Sequence, residues 1–310
     1  MIKRIALFLT LGLGFTSMVW TQDTIVPLWP NKVPLRIASN ETEIQEKGDI
    51  LRISKVQFPE IEVYLPSKAN ATGQGVLIFP GGGYQILAYG WEGRDIAKML
   101  NTKDIAGIVV KNRLPTSASL EKNHLVPLVD AQRALKLVRA MAKNLNIDTD
   151  KIGIMGFSAG GHLTASLGAH YDKELIPPTD EIDLIKARPN FIALIYPVIQ
   201  FGAASTHLGS QTALLGENPE KEWLNFFSLE KQVRNDHAPT IMFHSSDDTD
   251  VPVENSLSLY RSLHEKNIPS ALHIFPKGGH GFALAPHTPI INEWPNLLVN
   301  WIQNLPGDKL

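Results

Sequence analysis

The five residues Gly156-Phe157-Ser158-Ala159-Gly160 constrain the fold more than any other segment of the chain. They follow Lys151 to Phe157, an apolar run that reads as a strand, and they open Ala159 to Ala169, which reads as a helix. A serine with glycine two residues before and two after it permits a tight, strained strand-to-helix turn that lifts the hydroxyl clear of a sheet. The N–H of Ala159, backed by the helix N-terminus, then faces the point where a substrate carbonyl would become negative. A glycine-rich turn can also bind phosphate or simply allow close packing. The strand–turn–helix setting is what favours a nucleophile.

The rest of the chain alternates in the same manner. Ile61 to Leu65 alternates and is closed by Pro66, which predicts an edge strand. Gly75 to Phe79 and Ala106 to Val110 are short continuous apolar runs, as expected of strands buried on both faces of a parallel sheet. Phe191 to Tyr196, Thr240 to His244 and Ala271 to Phe275 read as further strands. Ile96, Met99 and Leu100 recur at helical spacing, and Val129 to Met141 carries a stripe that continues to Ala142 and Leu145. Glu254 to Lys266 and Pro289 to Leu305 complete the helices. Strands alternating with helices predict an α/β fold, a mostly parallel sheet covered on both faces. Residues 199–238 break the alternation and read as an insertion over the carboxyl edge of the sheet.

Two other constellations complete a nucleophilic site. Phe79-Pro80-Gly81-Gly82-Gly83-Tyr84 ends an early strand in consecutive glycines, whose backbone can turn N–H groups towards a developing oxyanion. Gly82 and Gly83 are the candidate donors beside Ala159, and the pattern leaves open which of them points inward. A nucleophilic serine also needs a neutral imidazole and a carboxylate that fixes its tautomer. Of the 10 histidines, His280 alone stands in a glycine-rich loop after the last strand and before the final helix. Asp247, Asp248 and Asp250 compete for the acid.

Composition removes the rival chemistries. The chain has no cysteine, which excludes disulfides, thiolate-ligated metals and a cysteine nucleophile. A net charge of −2 leaves no electrostatic footprint for nucleic acid. Asp247, Asp248, Asp250 and Glu254 lack the glycine and spacing of a calcium loop. No metal or organic cofactor is implied. Met1 to Thr21 pairs a basic start with an apolar run of about 15 residues, short for a span of roughly 20. It reads as an export signal on residues 1–21, which implies a periplasmic or secreted chain without a stable membrane anchor. Residues 22–310, 44% apolar over the whole chain, then form one domain with the insertion at about 199–238.

With these motifs in chain order serine, aspartate, histidine, the sequence resembles the α/β-hydrolase superfamily along essentially all of residues 22–310. The resemblance implies Ser158 as nucleophile, His280 as base and, through the context Asp248-Thr249-Asp250-Val251-Pro252, Asp248 as acid. Gly-Phe-Ser-Ala-Gly-Gly-His at 156–162, Pro-Gly-Gly-Gly-Tyr at 80–84 and Val-Pro-Val-Glu-Asn-Ser at 251–256 are similar to secreted bacterial carbohydrate esterases of the acetyl xylan esterase kind. Hormone-sensitive-lipase-like esterases carry histidine at the position of Pro80, and this departure favours the sugar-esterase branch. The implied substrate is a small-molecule or oligosaccharide ester, with the acyl group and the oligomeric state left open. A prolyl-oligopeptidase-type peptidase shares the catalytic order, and a non-catalytic carbohydrate-binding relative shares the scaffold. A glycosidase would leave both glycine motifs unexplained.

Weaker candidates have plainer readings. Asp130 and Arg133 read as a helix cap and an ion pair, Glu92, Arg94 and Arg113 as a solvated face, and His162 as a structural histidine behind the serine. Trp223, Phe226 and Phe227 read as the insertion's own small core.

Overall fold

The computed structural model describes residues 24–305. The predicted export signal at 1–21 lies outside the described residues. The chain begins with β1 (Thr24–Pro27), then forms a separate two-stranded ribbon from β2 (Ile44–Lys47) and β3 (Leu51–Ser54). The main sheet continues with β4 (Glu60–Tyr64), β5 (Gly75–Phe79), β6 (Ala106–Lys111), β7 (Ile152–Phe157), β8 (Ile192–Ile195), β9 (Thr240–Ser245) and β10 (Ser270–Phe275). Its order is β1-β4-β6-β5-β7-β8-β9-β10. Every pair from β6 to β10 is parallel, whereas β4 runs antiparallel to both its neighbours.

The strands from β5 to β9 are buried throughout, as their continuous apolar runs require. The expected edge strand at 61–65 is corrected: β1 pairs along its outer side, and Pro66 lies beyond the ladder, so β4 is an inner strand. Neither β1 nor the ribbon was foreseen, because four-residue strands carry too little periodicity.

Helices cover both faces. α1 (Asp95–Asn101) and, at the end of the chain, α7 (Trp294–Gln303) pack on one core; α2 (Val126–Met141), α3 (Ser158–His170) and α6 (Glu254–Glu265) pack on the other. α2 starts three residues before the expected Val129, since Pro127 in its first turn needs no donor. The final helix starts late, at Trp294, because Ile290 has φ 76° and only a 3₁₀ turn at Ile291–Glu293 precedes it.

The insertion carries α4 (Leu208–Leu215) and α5 (Lys221–Phe226). It leans on α3, where Phe226 stacks on His170 at 3.8 Å and Phe227 packs on His162 at 5.9 Å. Trp223, Phe226 and Phe227 contact one another but form no separate core of the insertion: Phe227 belongs to the core on the α2–α3 face, and Trp223 and Phe226 pack against it. From β5 the chain passes to β6 on one side and then crosses back to β7 on the other. This is a topological switch point, where α/β sheets open a crevice at their carboxyl ends. The Gly81 loop leaves β5 there, and Ser158 leaves β7. No described helix is long and apolar enough to cross a membrane.

Candidate active site

Ser158 has φ 51°, a left-handed conformation that costs a non-glycine residue about 1–3 kcal/mol. Its flanking glycines serve space rather than dihedral freedom. A Cβ on Gly156 would meet Thr164 Oγ1 at 2.1 Å, and one on Gly160 would meet the Phe79 carbonyl oxygen at 2.2 Å. Gly160 thus lets the elbow nest against the end of β5, and Gly156 leaves room for the first turns of α3 itself.

Ser158 donates from Oγ to His280 Nε2 at 2.8 Å, and His280 Nδ1 lies 2.7 Å from Asp248 Oδ2. A carboxylate only accepts, so the imidazole proton is on Nδ1 and Nε2 presents a lone pair to the serine. Asp248 has a fully buried side chain, and its other oxygen accepts the N–H groups of Asp250 and Val251 at 3.0 and 2.8 Å. Burial opposes its charge, yet hydrogen bonds from His244 and His280 hold the carboxyl below the usual aspartate range. The three residues singled out as nucleophile, base and acid thus meet in one hydrogen-bonded line.

The competing aspartates do different things. Asp247 accepts the N–H groups of Gly278 at 2.9 Å and Gly279 at 2.8 Å, fastening the loop that carries His280. Gly279 and Gly281 both have positive φ, which lets that loop reverse on either side of the histidine. Asp250 stands on the cavity wall.

The glycine loop is held without using up its inner donors. Gly81 donates to Glu92 Oε2 at 2.7 Å and its carbonyl accepts from Ala88, while the Gly82 carbonyl accepts from Gln85 and Ile86. The N–H groups of Gly82 and Gly83 have no hydrogen-bond partner among the described residues, and both glycines line the cavity with Ser158. Ala159 N–H, in the first turn of α3, is likewise outside the helical ladder. All three candidate donors are thus left free of protein partners, two of them on glycines that line the cavity with Ser158.

His162 is buried beneath the elbow. Its Nε2–H donates to the Phe227 carbonyl at 3.0 Å, so Nδ1 accepts the Tyr84 hydroxyl at 2.8 Å. Burial lowers its pKa to about 4. The structural reading of this residue is thereby given a content: it joins the glycine loop, α3 and the insertion.

Three expectations fail here. Glu92 is buried, not solvated: its Oε1 accepts the Tyr196 hydroxyl at 2.7 Å. Burial pushes its carboxyl up, against the opposing hydrogen bonds of Tyr196 and Gly81. Arg113 is buried too, and it pairs with Asp130 at 2.6 Å. Asp130 is therefore no cap and does not pair with Arg133, which instead binds Asp180 and Asp183. Arg94 alone of this group is part-exposed, on Glu62. Sequence gave no sign of these buried charges because their partners come from distant segments.

The cavity in front of Ser158 measures about 500 Å³. Its wall includes Asp49 and Arg52 from the ribbon, Trp91, His207 from the insertion, and Asp250. A cavity of about 590 Å³ elsewhere, beside Trp29 and Arg133, is distant from this chemistry; Arg133 there is saturated by Asp180, Asp183 and the Leu28 carbonyl. None of Trp223, Phe226 and Phe227 lines the serine cavity.

The parallel sheet, the serine at the switch-point elbow and the Ser158–His280–Asp248 line define an α/β-hydrolase. Residues 61–263 match the BD-FAE family model, more than half of the chain, and the chain belongs to that family. The match includes Ser158 and Asp248 and stops short of His280. The chain is 39% identical over 210 residues to endo-1,4-beta-xylanase B of Butyrivibrio fibrisolvens, covering 68% of this chain and 32% of that protein. It is 31% identical over 263 residues to an acetylxylan esterase of Xylanibacter ruminicola, covering 84% and 51%. It thus spans about a third to a half of these curated relatives. An acetyl ester-xyloside bifunctional hydrolase from Caldicellulosiruptor lactoaceticus superposes with TM-score 0.80 at 35% identity, over 93% of this chain and 98% of that one. The carboxylesterase Cest-2923 of Lactobacillus plantarum, 21% identical with TM-score 0.67 over 85% and 97%, shares the fold.

Proposed function

We propose that this protein is a serine carboxylesterase that removes acetyl groups from the sugars of plant polysaccharides. The single observation that carries this is the continuous relay from Ser158 through His280 to a buried Asp248, open to a cavity that sets Asp49, Arg52, His207 and Asp250 beside Trp91, Ile50 and Ile86. His280 Nε2 takes the serine proton as Oγ attacks the ester carbonyl. The N–H groups of Gly82, Gly83 and Ala159 receive the oxyanion. The sugar hydroxyl leaves with the proton from His280, and water then repeats the sequence on the acetyl-enzyme. The chemistry calls for no cofactor.

Kinship with an acetylxylan esterase and with an acetyl ester-xyloside hydrolase supports the acetyl-sugar substrate. We take residues 22–310 as one domain with 199–238 inserted, since both cores lie against one sheet. We also take the chain to be exported, on the pattern of residues 1–21; a fractionation of cells expressing the full chain tests it.

The activity test compares wild type with Ser158→Ala on p-nitrophenyl acetate, acetylated xylan, methyl ferulate, an aminoacyl anilide and p-nitrophenyl β-xyloside. Turnover of the acetyl esters, at least about 10³-fold lower in the variant, is expected. Retention of near wild-type hydrolysis by Ser158→Ala sinks the mechanism. Preferential anilide cleavage points to a peptidase instead. The xyloside separates a second activity, because glycoside hydrolysis needs a flanking pair of carboxylates and not this serine.

A further inference from the structure

Glu92 has no part in the relay, yet it is buried at its base. It belongs to a π-helical turn, Gly90–Arg94, that leads into α1. Such turns take an extra residue into the helix and are frequent at functional sites. Here the turn holds Trp91 on the cavity rim, 40% exposed, while the next side chain is 5% exposed. The two oxygens of Glu92 have separate tasks. Oε2 accepts the N–H of Gly81, the residue before the candidate oxyanion donors. Oε1 accepts the hydroxyl of Tyr196.

Tyr196 closes the circuit on the other catalytic loop. Its oxygen accepts the N–H of Ala283 at 3.1 Å, three residues beyond His280. Its ring stands edge-on to the His280 imidazole, with centroids 5.0 Å apart. Tyr196 has φ 39° and Ala283 has φ 42°, so both ends of this contact hold backbone conformations that side chains rarely adopt. A buried carboxylate that only accepts, between two protein donors, is a rigid joint.

We propose that Glu92 is a positioning residue: through Gly81 and Tyr196 it locks the oxyanion loop and the histidine loop into one register around Ser158. The proposal rests on the serine-hydrolase reading above. Its role is exerted when charge develops on the carbonyl oxygen and on His280, so it bears on kcat more than on ground-state binding.

The test uses the full chain as wild type, Glu92→Gln, Tyr196→Phe and the double variant. Each is counted for competent sites by fluorophosphonate labelling and checked for folding by thermal melting. On p-nitrophenyl acetate, kcat per labelled site is expected to fall about 10–100-fold in each single variant, a part of the 10²–10³ lost when an oxyanion donor is removed outright. KM is expected to stay within about twofold. The double variant is expected to lose little more than either single one, as members of one chain do. A merely structural role lowers the melting temperature and leaves kcat per labelled site unchanged, and that outcome overturns the proposal, as does a fully multiplicative double variant. Failure of the wild type itself to label at Ser158 overturns the serine-hydrolase reading instead, and the proposal with it.

Discussion

His244 Nε2 stands 3.3 Å from Asp248 Oδ2, the same oxygen that receives His280 Nδ1–H at 2.7 Å. The Asp248 carboxylate is thus gripped from both sides. His244 is fully buried and its own tautomer is fixed, because Nε2 also faces the Val251 carbonyl at 2.9 Å and Nδ1 therefore accepts from Ser256 Oγ at 2.8 Å. Asp248→Asn offers an amide where His280 needs an acceptor, and kcat on p-nitrophenyl acetate is expected to drop about 10⁴-fold with the fold intact. His244→Leu leaves the relay atoms in place but strips Ser256 and Val251 of a partner. About 1–3 kcal/mol of stability is expected to go, with a far smaller loss of kcat. Urea unfolding and steady-state kinetics on the two variants separate these outcomes; equal kinetic damage would show that His244 does more than hold the acid.

Asp247 acts on the His280 loop in a different way. It reaches the backbone of Gly278 and Gly279, so it restrains the loop and not the imidazole. Asp247→Asn keeps a side-chain carbonyl that can accept both N–H groups, and activity is expected within about threefold of wild type. Asp247→Ala frees the loop, and a displacement of about 1 Å at His280 can cost up to about 10²-fold in rate. The expected order in kcat is wild type, Asn, then Ala at about tenfold or more below. An alanine variant as fast as wild type removes the role.

Much of this site was legible because its residues are local. Ser158 is announced by glycines that the structure shows to be sterically required, and His280 by glycines that have positive φ. The buried strands were legible because parallel strands need unbroken apolar runs. Asp248 was separable from Asp247 and Asp250 only by resemblance, since all three follow β9 and their directions are set by loop geometry. Glu92 was lost for another reason. Its partners, Gly81 and Tyr196, are 11 and 104 residues away, and a glutamate between tryptophan and glycine carries no periodic signal. The Arg113–Asp130 and Arg133–Asp180 pairs escaped likewise. Both need tertiary contacts that reverse the prior that charges stay at the surface.

The insertion is docked through histidines that must stay neutral. His162 and His170 donate from Nε2 to the carbonyls of Phe227 and Phe226 at 3.0 and 2.9 Å, and burial lowers both to about 4 from an ordinary 6.5. Below pH 6.5 the unfolded chain binds protons on these rings while the folded chain refuses them until about pH 4. Stability is therefore complete above pH 6.5 and lost on acidification through that window, by about 2 kcal/mol at pH 5 for the fully buried His162. The depressed carboxyl of Asp248 adds loss in the same direction, but only below about pH 5, where an unfolded aspartate begins to protonate. Urea titrations at pH 7, 6 and 5 are expected to show falling midpoints at constant slope. A flat midpoint across that range contradicts neutral docking.

Trp91 is the aromatic side chain that lines the cavity in front of Ser158, next in sequence to Glu92 and opposite it in exposure. With Asp49 and Arg52 it makes a wall of one flat apolar face beside charged donors and acceptors, the combination that a pyranose with its hydroxyls can use. A ring laid on the indole removes apolar surface from water, worth about 1–1.5 kcal/mol at roughly 25 cal/mol per Å². Trp91→Ala is therefore expected to raise KM for acetylated xylo-oligosaccharides about tenfold. Hydrolysis of p-nitrophenyl acetate, which has no sugar, is expected to change less than twofold. The comparison also guards against disturbance of the neighbouring Glu92, because that would lower kcat on both substrates. Equal effects on the two esters would remove Trp91 from sugar recognition.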